Sequence, residues 1–204
     1  MLQHPAAVRA AFAEGAATFL DTLRGVGPEY WDRPGALGDW TTRELAAHTL
    51  RAFITIDGYL AAQPTVDRVL ADAAEYYQTA LSDAGVHQGV ASRARQAARQ
   101  LIDPIGEAEV TVAHTLALVA GTADDEAVNT FAGQITLIEY LATRVVELGV
   151  HTLDLQRATG QPASLHPDTS AVIVSVLSSL ASPVTLVLAL TGRASLPADF
   201  NVLG

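Results

Sequence analysis

Glu147 and His151 stand four residues apart in a stretch whose other residues are mostly apolar. If that stretch is helical, four residues correspond to about one turn, so the carboxylate and the imidazole project from the same face. A carboxylate oxygen and an imidazole nitrogen are both common ligands of zinc and similar divalent ions. The pair therefore predicts part of a metal site, although the same spacing also arises by chance.

A third candidate ligand, His48, lies in an earlier segment with helical spacing. Its neighbours Leu45, Phe53 and Ile56 form an apolar face, and His48 lies at the edge of that face. If the two helices pack along their apolar faces, His48 and His151 point into one groove. Two histidines and one carboxylate leave at least one coordination position of a zinc ion open, which is typical of catalytic sites. An open metal ion binds a thiol as the thiolate, so that the nucleophile exists at neutral pH.

Arg144 and Asp154 belong to the same polar stripe as Glu147 and His151, and they are candidates for supporting roles in catalysis. Asp154 could accept the ring proton of a ligand histidine. Arg144 could neutralise a carboxylate on the substrate, or it could simply form an ion pair with Glu147. Histidines on apolar faces are often core residues with satisfied hydrogen bonds, so a bundle without a metal is the alternative interpretation.

Composition narrows the function classes. Twenty-two acidic residues against twelve basic ones give a net charge of −10. This charge repels phosphate backbones and anionic lipids, so we expect neither nucleic acid nor a membrane as a partner. Cysteine is absent, so any thiol in the reaction must come from a small molecule. The N-terminal segment has no basic region followed by an apolar run, so a signal peptide is not indicated and we expect a cytoplasmic location.

Helical spacing of alanine, leucine and glutamate fills most of the chain and predicts an all-α fold. The predicted helices are Pro5 to Arg24, Thr42 to Ala62, Val66 to Leu81, His87 to Ile102, Ala108 to Val119, Leu137 to Thr159, Thr169 to Leu180 and a short one near Val184 to Leu190. The tail from Leu196 to Gly204 is predicted to be irregular. We expect one domain over residues 1–160 and a short helical appendage over residues 161–204, packed on it.

Two predicted helix starts repeat at a constant offset of 95 residues. Thr41 and Glu44 mark the first start, and Thr136 and Glu139 mark the second. Each Thr-x-x-Glu pair predicts a capping box, in which the two side chains bond to each other's backbone N–H groups. Matched starts indicate a pseudo-duplicated pair of helical hairpins. Together with the first predicted helix and a segment within His87 to Val119, they would form a four-helix bundle.

The segments from Gly38 to His48 and from Tyr140 to Leu155 resemble the N-terminal domain of mycothiol-dependent maleylpyruvate isomerases, in the DinB-like metalloprotein superfamily. The resemblance covers about residues 5 to 160. It implies a DinB-like four-helix bundle whose divalent metal, usually zinc, is held by His48, Glu147 and His151. It further implies transfer or addition of a low-molecular-weight thiol, which is mycothiol in actinobacteria, to a small electrophile.

One departure from the family concerns the C-terminal region. The isomerase carries a further domain that contributes an arginine to catalysis, whereas 44 residues follow residue 160 here. Arg193 is not expected to replace that arginine. We therefore predict a metal-dependent, mycothiol-using transferase or isomerase-like enzyme rather than maleylpyruvate isomerisation itself. The alternative is a non-catalytic metal-binding helical module for protein interaction or sensing, and a homodimer is a further expectation.

Overall fold

Helices make up most of the molecule. The computed structural model of the protein describes residues 4–82 and 84–203, without the side chains of residues 84–88, 90 and 91. The helices are α1 (Pro5–Arg24), α2 (Thr42–Thr49), α3 (Arg51–Ala61), α4 (Ala73–Leu81), α5 (Ala84–Gln100), α6 (Pro104–Ala120), α7 (Leu137–Ala158), α8 (Pro167–Leu180) and α9 (Pro183–Leu190). The strands are β1 (Pro34–Leu37), β2 (Trp40–Thr41), β3 (Ala127–Asn129) and β4 (Gln134–Thr136). They form two antiparallel hairpins, β1–β2 and β3–β4. The prediction of an all-α fold is confirmed.

Helix α7 lies at the centre of the bundle. The helices α1, α2, α3 and α8 all pack against it, and α6 packs against α1 and α3. The buried apolar residues of α7 include Leu137, Leu141, Val145, Leu148 and Leu155. In the core, the ring of Phe53 on α3 lies 5.4 Å from that of Phe12 and 6.1 Å from that of Phe19, both on α1. The predicted four-helix arrangement is therefore found, with α1 and α6 as the two additional helices.

The segment predicted as one helix from Thr42 to Ala62 forms two helices, α2 and α3. Leu50 lies between them and keeps helical dihedral angles, with φ −57° and ψ −22°. The interruption is therefore small. Both halves pack on α7, but α5 packs on α2, whereas α6 packs mainly on α3.

The predicted helix from Val66 to Leu81 is wrong in its first part, because α4 begins only after Asp72. The Asp72 carboxylate caps α4 by accepting a hydrogen bond from the backbone N–H of Glu75 at 2.9 Å. The residues before the cap pair with β4 instead, and the N–H of Leu70 donates to the carbonyl of Gln134 at 2.8 Å. This contact with a distant strand is not visible in the local helical spacing.

The second predicted capping box, at the start of α7, is also wrong. The side chain of Thr136 makes no cap hydrogen bond. The Glu139 carboxylate instead accepts a hydrogen bond from the backbone N–H of Ala73, the first residue of α4, at 3.1 Å. Glu139 is buried, and a buried N–H at a helix start needs an acceptor. Glu139 therefore accepts a hydrogen bond from the first N–H of α4 rather than from the N–H of Thr136 at the start of its own helix.

The C-terminal helices differ in how much they bury. Helix α8 packs on α1 and α7 and contributes Val172, Ile173 and Val176 to the common core. Helix α9 has no buried residue, and Val184 and Leu190 are 68% and 85% exposed. Residues 191–203 contain neither helix nor strand, as predicted for the tail. Within the described residues, every helix is too short or too polar to cross a membrane.

Candidate metal centre

Helix α2 places His48 in its last turn. The first predicted capping box is present: Thr41 Oγ1 accepts from the N–H of Glu44 at 3.2 Å, and the Glu44 carboxylate accepts from the N–H of Thr41 at 2.9 Å. These two hydrogen bonds fix where α2 begins and thus the direction in which the His48 side chain points. The indole of Trp40 packs edge-on against the His48 ring, with 5.1 Å between centroids.

Helix α7 places Glu147 and His151 on one face, as their spacing predicts. Glu147 Oε2 lies 3.7 Å from His151 Nε2. Both side chains are largely shielded from solvent, with 29% and 15% of their side-chain surfaces exposed. A charged pair beside an apolar core loses hydration, which is costly unless the groups have partners or hold a metal.

The three candidate ligands converge. The rings of His48 and His151 lie 4.9 Å apart between centroids. One potential ligand atom from each of His48, Glu147 and His151 lies within 4.8 Å of the others, so the three side chains could hold one metal ion. Ligand atoms around a tetrahedral zinc ion lie roughly 3.4 Å apart, so only a small closure of this group is needed.

One buried nitrogen bears on whether His48 is a metal ligand or a packed core histidine. Nδ1 of His48 is buried and has no hydrogen-bond partner within the described parts of the chain. A core histidine would normally have its polar atoms satisfied by the protein. The donor set fits a divalent ion as well, since two imidazoles and one carboxylate are found at open zinc sites.

Asp154, a predicted supporting residue, lies next to His151. Its Oδ2 is 3.3 Å from Nδ1 of His151, and its Oδ1 accepts from the guanidinium of Arg157 at 3.0 Å. In the neutral His151 ring that would bind a metal, a proton on Nδ1 is donated to Asp154, which orients the ring and leaves Nε2 free on the side of Glu147. Arg157 in turn holds the carboxylate in place.

Arg144 is buried beside the candidate ligands but forms no ion pair with Glu147 within 4.0 Å. Its guanidinium lies over the rings of Tyr140 and Tyr76, at 4.7 and 5.7 Å from their centroids. Its Nε donates to Oγ1 of Thr143 at 3.0 Å. Among the described residues, no carboxylate forms a salt bridge with this guanidinium, which is always charged. The predicted ion pair with Glu147 is therefore absent from the described residues, and binding of a substrate carboxylate stays a prediction.

Tyr77 was not predicted to belong to the site. It projects from α4, and its hydroxyl lies 3.1 Å from Glu147 Oε1 and 3.1 Å from the carbonyl oxygen of Thr143. Burial and the nearby charge of Glu147 raise its pKa well above the usual value, so the hydroxyl keeps its proton and donates. Because 70 residues separate Tyr77 from Glu147, no local spacing could have revealed this contact.

The three candidate ligands have shifted pKa values. Burial, together with the charge of His151, lowers the pKa of His48 to about 4. Burial raises the pKa of Glu147, but His151 and the charge of Arg144 outweigh burial and lower it to about 2. Burial lowers the pKa of His151, but the carboxylates of Asp154 and Glu147 outweigh burial and raise it to about 9. At neutral pH the metal-free site therefore contains a neutral imidazole, a carboxylate and an imidazolium.

A cavity of about 500 Å³ lies beside the candidate ligands. We call it the site cavity, and its lining residues are Leu37, Trp40, His48, Thr49, Arg51, Ala52, Thr55, Tyr59, Tyr76, Tyr77, Ala80, Leu81, Arg93, Phe131, Tyr140, Arg144, Glu147, His151 and Leu203. Its volume is in the range of small-molecule sites. Among these lining residues Glu147 is the one carboxylate, whereas three are arginines. Apart from the candidate metal ligands, the cavity therefore favours an anionic or neutral small molecule.

The fold and the converging side chains define a helical-bundle protein with a possible metal site. The chain matches the family model of the mycothiol maleylpyruvate isomerase N-terminal domain over residues 5–156. Because this match spans most of the chain, the protein belongs to that family, which is part of the DinB-like superfamily. The resemblance seen in the sequence is confirmed. Searches of curated proteins and of solved structures found no match.

Proposed function

We propose that this protein is a metal-dependent enzyme that transfers or adds mycothiol to a small electrophile, by a transferase or isomerase-like reaction. The observation that carries the proposal is the convergence of His48, Glu147 and His151 on the wall of a cavity of about 500 Å³. Membership in a mycothiol-related family supports the choice of thiol. The absence of cysteine agrees with a thiol supplied from outside. We place the reaction in the cytoplasm, where such thiols stay reduced.

His48, Glu147 and His151 are the proposed ligands, and zinc is the proposed metal. When bound there, a divalent ion with an open position supplies a thiolate nucleophile at neutral pH. Two neutral imidazoles are needed, and the pKa of about 4 means that His48 is already neutral. His151 must give up one proton, and Asp154 then steadies its ring through Nδ1.

Arg144 is the proposed anchor for a carboxylate on the electrophile. Its side chain lines the site cavity, and the faces of Tyr140 and Tyr76 hold the guanidinium without neutralising it. A guanidinium can bind a carboxylate with two parallel hydrogen bonds, which orients as well as attracts. Such an anchor would bring the electrophilic carbon to a repeatable distance from the thiol.

The metal step is tested by measuring metal content after purification without chelators. We expect about one zinc per wild-type chain and loss of the metal in His48→Ala and His151→Ala. The matched control is His114→Ala, because the His114 side chain is 63% exposed and lies on α6 beside Asp57. A wild-type protein that neither retains nor binds zinc would refute the metal step.

The thiol step is tested with the zinc-loaded protein, mycothiol and a set of electrophiles. We expect conjugation that depends on the metal and is faster for an electrophile with a free carboxylate than for its methyl ester, because only the acid can bind Arg144. Equal rates for acid and ester would contradict the role of Arg144. The absence of metal-dependent conjugation across the whole set would contradict enzyme function.

The exposed apolar face of α9 favours a second candidate, a metal-binding module for protein interaction or sensing. Val184, Val187 and Leu190 are 68%, 59% and 85% exposed. Exposed apolar surface of this kind often marks a binding site. A second copy of the chain would cover it in the homodimer that we propose, and light scattering of wild type and Leu190→Glu measures this. A zinc protein without thiol activity that associates through α9 would favour the module.

A further inference from the structure

The two carboxylate oxygens of Glu147 have different surroundings. Oε2 lies 3.7 Å from Nε2 of His151, on the side where the candidate ligands converge. Oε1 accepts a hydrogen bond from the hydroxyl of Tyr77 at 3.1 Å. Tyr77 is only 4% exposed, so solvent hardly competes for this bond. One oxygen therefore faces the other candidate ligands, while the other is already engaged.

The position of Tyr77 is well determined by its surroundings. Its hydroxyl also lies 3.1 Å from the carbonyl oxygen of Thr143, one turn before Glu147 on α7. Helix α4 is itself tied to α7, since the Glu139 carboxylate accepts from the N–H of Ala73 at 3.1 Å. The hydroxyl has one proton, which it shares between the carbonyl oxygen of Thr143 and Oε1 of Glu147, both on α7.

A carboxylate can bind zinc through one oxygen or two, and the second oxygen takes up a coordination position that a substrate could use. An oxygen that accepts a hydrogen bond is a weaker ligand than a free one, and such outer contacts orient the residues that bind the metal. From this geometry we propose that Tyr77 is a positioning residue that keeps Glu147 a one-oxygen ligand and so leaves a coordination position free for the thiol. The inference rests on the proposed function.

Cobalt in place of zinc makes this testable by visible spectroscopy. Cobalt absorbs more strongly in four-coordinate than in five-coordinate sites, and a bound thiolate adds a charge-transfer band. In Tyr77→Phe, Oε1 of Glu147 is free to bind, so we expect weaker absorption per cobalt ion than in wild type. We also expect a loss of affinity for the probe thiol N-acetylcysteine, because the second oxygen of Glu147 would then compete with the thiol for the same coordination position.

Tyr59→Phe is the matched control. It removes the same hydroxyl group from another tyrosine that lines the site cavity, on α3. We expect wild-type absorption and wild-type thiol binding in this variant. Unchanged absorption and thiol binding in Tyr77→Phe would overturn the proposal, and so would equal changes in both variants. A wild-type protein that binds no cobalt or zinc would overturn the metal step as well. Failure of the metal step is thus distinguishable from failure of the role of Tyr77 alone.

A second measurement avoids dependence on the folding of Tyr77→Phe. In a crystal structure of the wild-type protein with zinc, we expect one oxygen of Glu147 at about 2.0–2.2 Å from the ion. The other oxygen should remain bonded to the Tyr77 hydroxyl. Coordination by both oxygens, or a Tyr77 hydroxyl bonded elsewhere, would overturn the proposal even if the variant cannot be purified.

Discussion

The hairpin–helix units β1–β2–α2 and β3–β4–α7 begin alike and are used differently. In both, a strand ends at the threonine of a Thr-x-x-Glu sequence and a helix follows. In the first unit, the Glu44 carboxylate turns back to the N–H of Thr41 at 2.9 Å. In the second, the Glu139 carboxylate reaches the N–H of Ala73 on α4 at 3.1 Å. The same local signal thus closes a cap in one unit and joins two helices in the other.

The difference shows that one Thr-x-x-Glu sequence can make a local contact or a contact with a distant helix. The first cap needs only residues within one turn, so it forms wherever the backbone turns into a helix. The second glutamate is buried beside the start of another helix, whose N–H groups need acceptors. This contact brings α4, with Tyr76 and Tyr77, to the wall of the site cavity. The first unit provides one candidate ligand and the second provides two.

Among the changes to these two units, removal of a bound metal is expected to lower the free energy of unfolding most, because a bound ion would join α2 to α7. At free zinc about 1,000 times the dissociation constant, binding adds about 4 kcal/mol to the free energy of unfolding. For a chain of this size that corresponds to a rise of roughly 10 °C in Tm. Calorimetry with and without zinc measures the rise. His48→Ala and His151→Ala should each abolish it, and a rise that survives in either variant would contradict a shared site.

The pH dependence of zinc binding should distinguish the two units. Below its pKa of about 9, His151 must release one proton when zinc binds, whereas His48, with a pKa of about 4, is already neutral. Zinc affinity should therefore rise by about tenfold per pH unit, or about 100-fold from pH 6 to pH 8. Competition titrations with a zinc-binding dye measure this. Asp154→Asn should flatten the rise, because it removes a carboxylate that raises the pKa of His151. A 100-fold rise in zinc affinity per pH unit would mean that two protons are released and that His48 also titrates in this range.

Glu139 and Glu44 should differ in their contribution to stability. Glu139→Ala leaves the buried N–H of Ala73 without an acceptor, at a cost of about 1–3 kcal/mol. Glu139→Gln keeps an acceptor oxygen and should cost less, because burial raises the pKa of Glu139 and so already disfavours its charged form. Glu44→Ala removes a local cap contact and should cost about 1 kcal/mol or less. Urea unfolding at pH 7 ranks the three variants, and a Gln variant as unstable as the Ala variant would contradict this account.

Substitution of the two threonines, Thr41 and Thr136, should give the smallest changes in the free energy of unfolding and compares the two helix starts directly. Thr41 accepts a cap hydrogen bond, so Thr41→Ala should cost about 1 kcal/mol of unfolding free energy. Thr136 makes no cap hydrogen bond, so Thr136→Ala should cost less than about 0.5 kcal/mol. Denaturant midpoints of the two variants test this, and equal losses would mean that Thr136 does cap α7.

Much of the helical framework could be predicted from the sequence. The predicted bounds of α1 agree with the structure at both ends, Pro5 and Arg24, and α7 begins at the predicted Leu137. Proline in the first turn, apolar periodicity and strand-to-helix transitions are local signals, so they act before any tertiary contact is made. The sequence predicts the start of α4 too early, because the residues before α4 pair with β4, far away in the chain.

The part of the candidate site that depends on local geometry is also predictable from the sequence. Glu147 and His151 are one helical turn apart, so their common face follows from backbone geometry. His48 is predicted as their partner from its residue type and from the expectation that two apolar faces meet. Nothing local indicates that Tyr77 would reach Glu147, because that bond depends on where α4 packs.

Local geometry and side-chain chemistry make three features readable from the sequence: the all-α fold, the main helices and the residue types that could hold a metal. Only packing reveals that Glu139 accepts a hydrogen bond from α4, that Arg144 lies over tyrosine rings instead of pairing with Glu147, and that Tyr77 hydrogen-bonds to one oxygen of Glu147. These are contacts that packing brings about, mostly between residues far apart in the chain. Burial selects them, because a polar group removed from water needs a partner wherever the fold provides one.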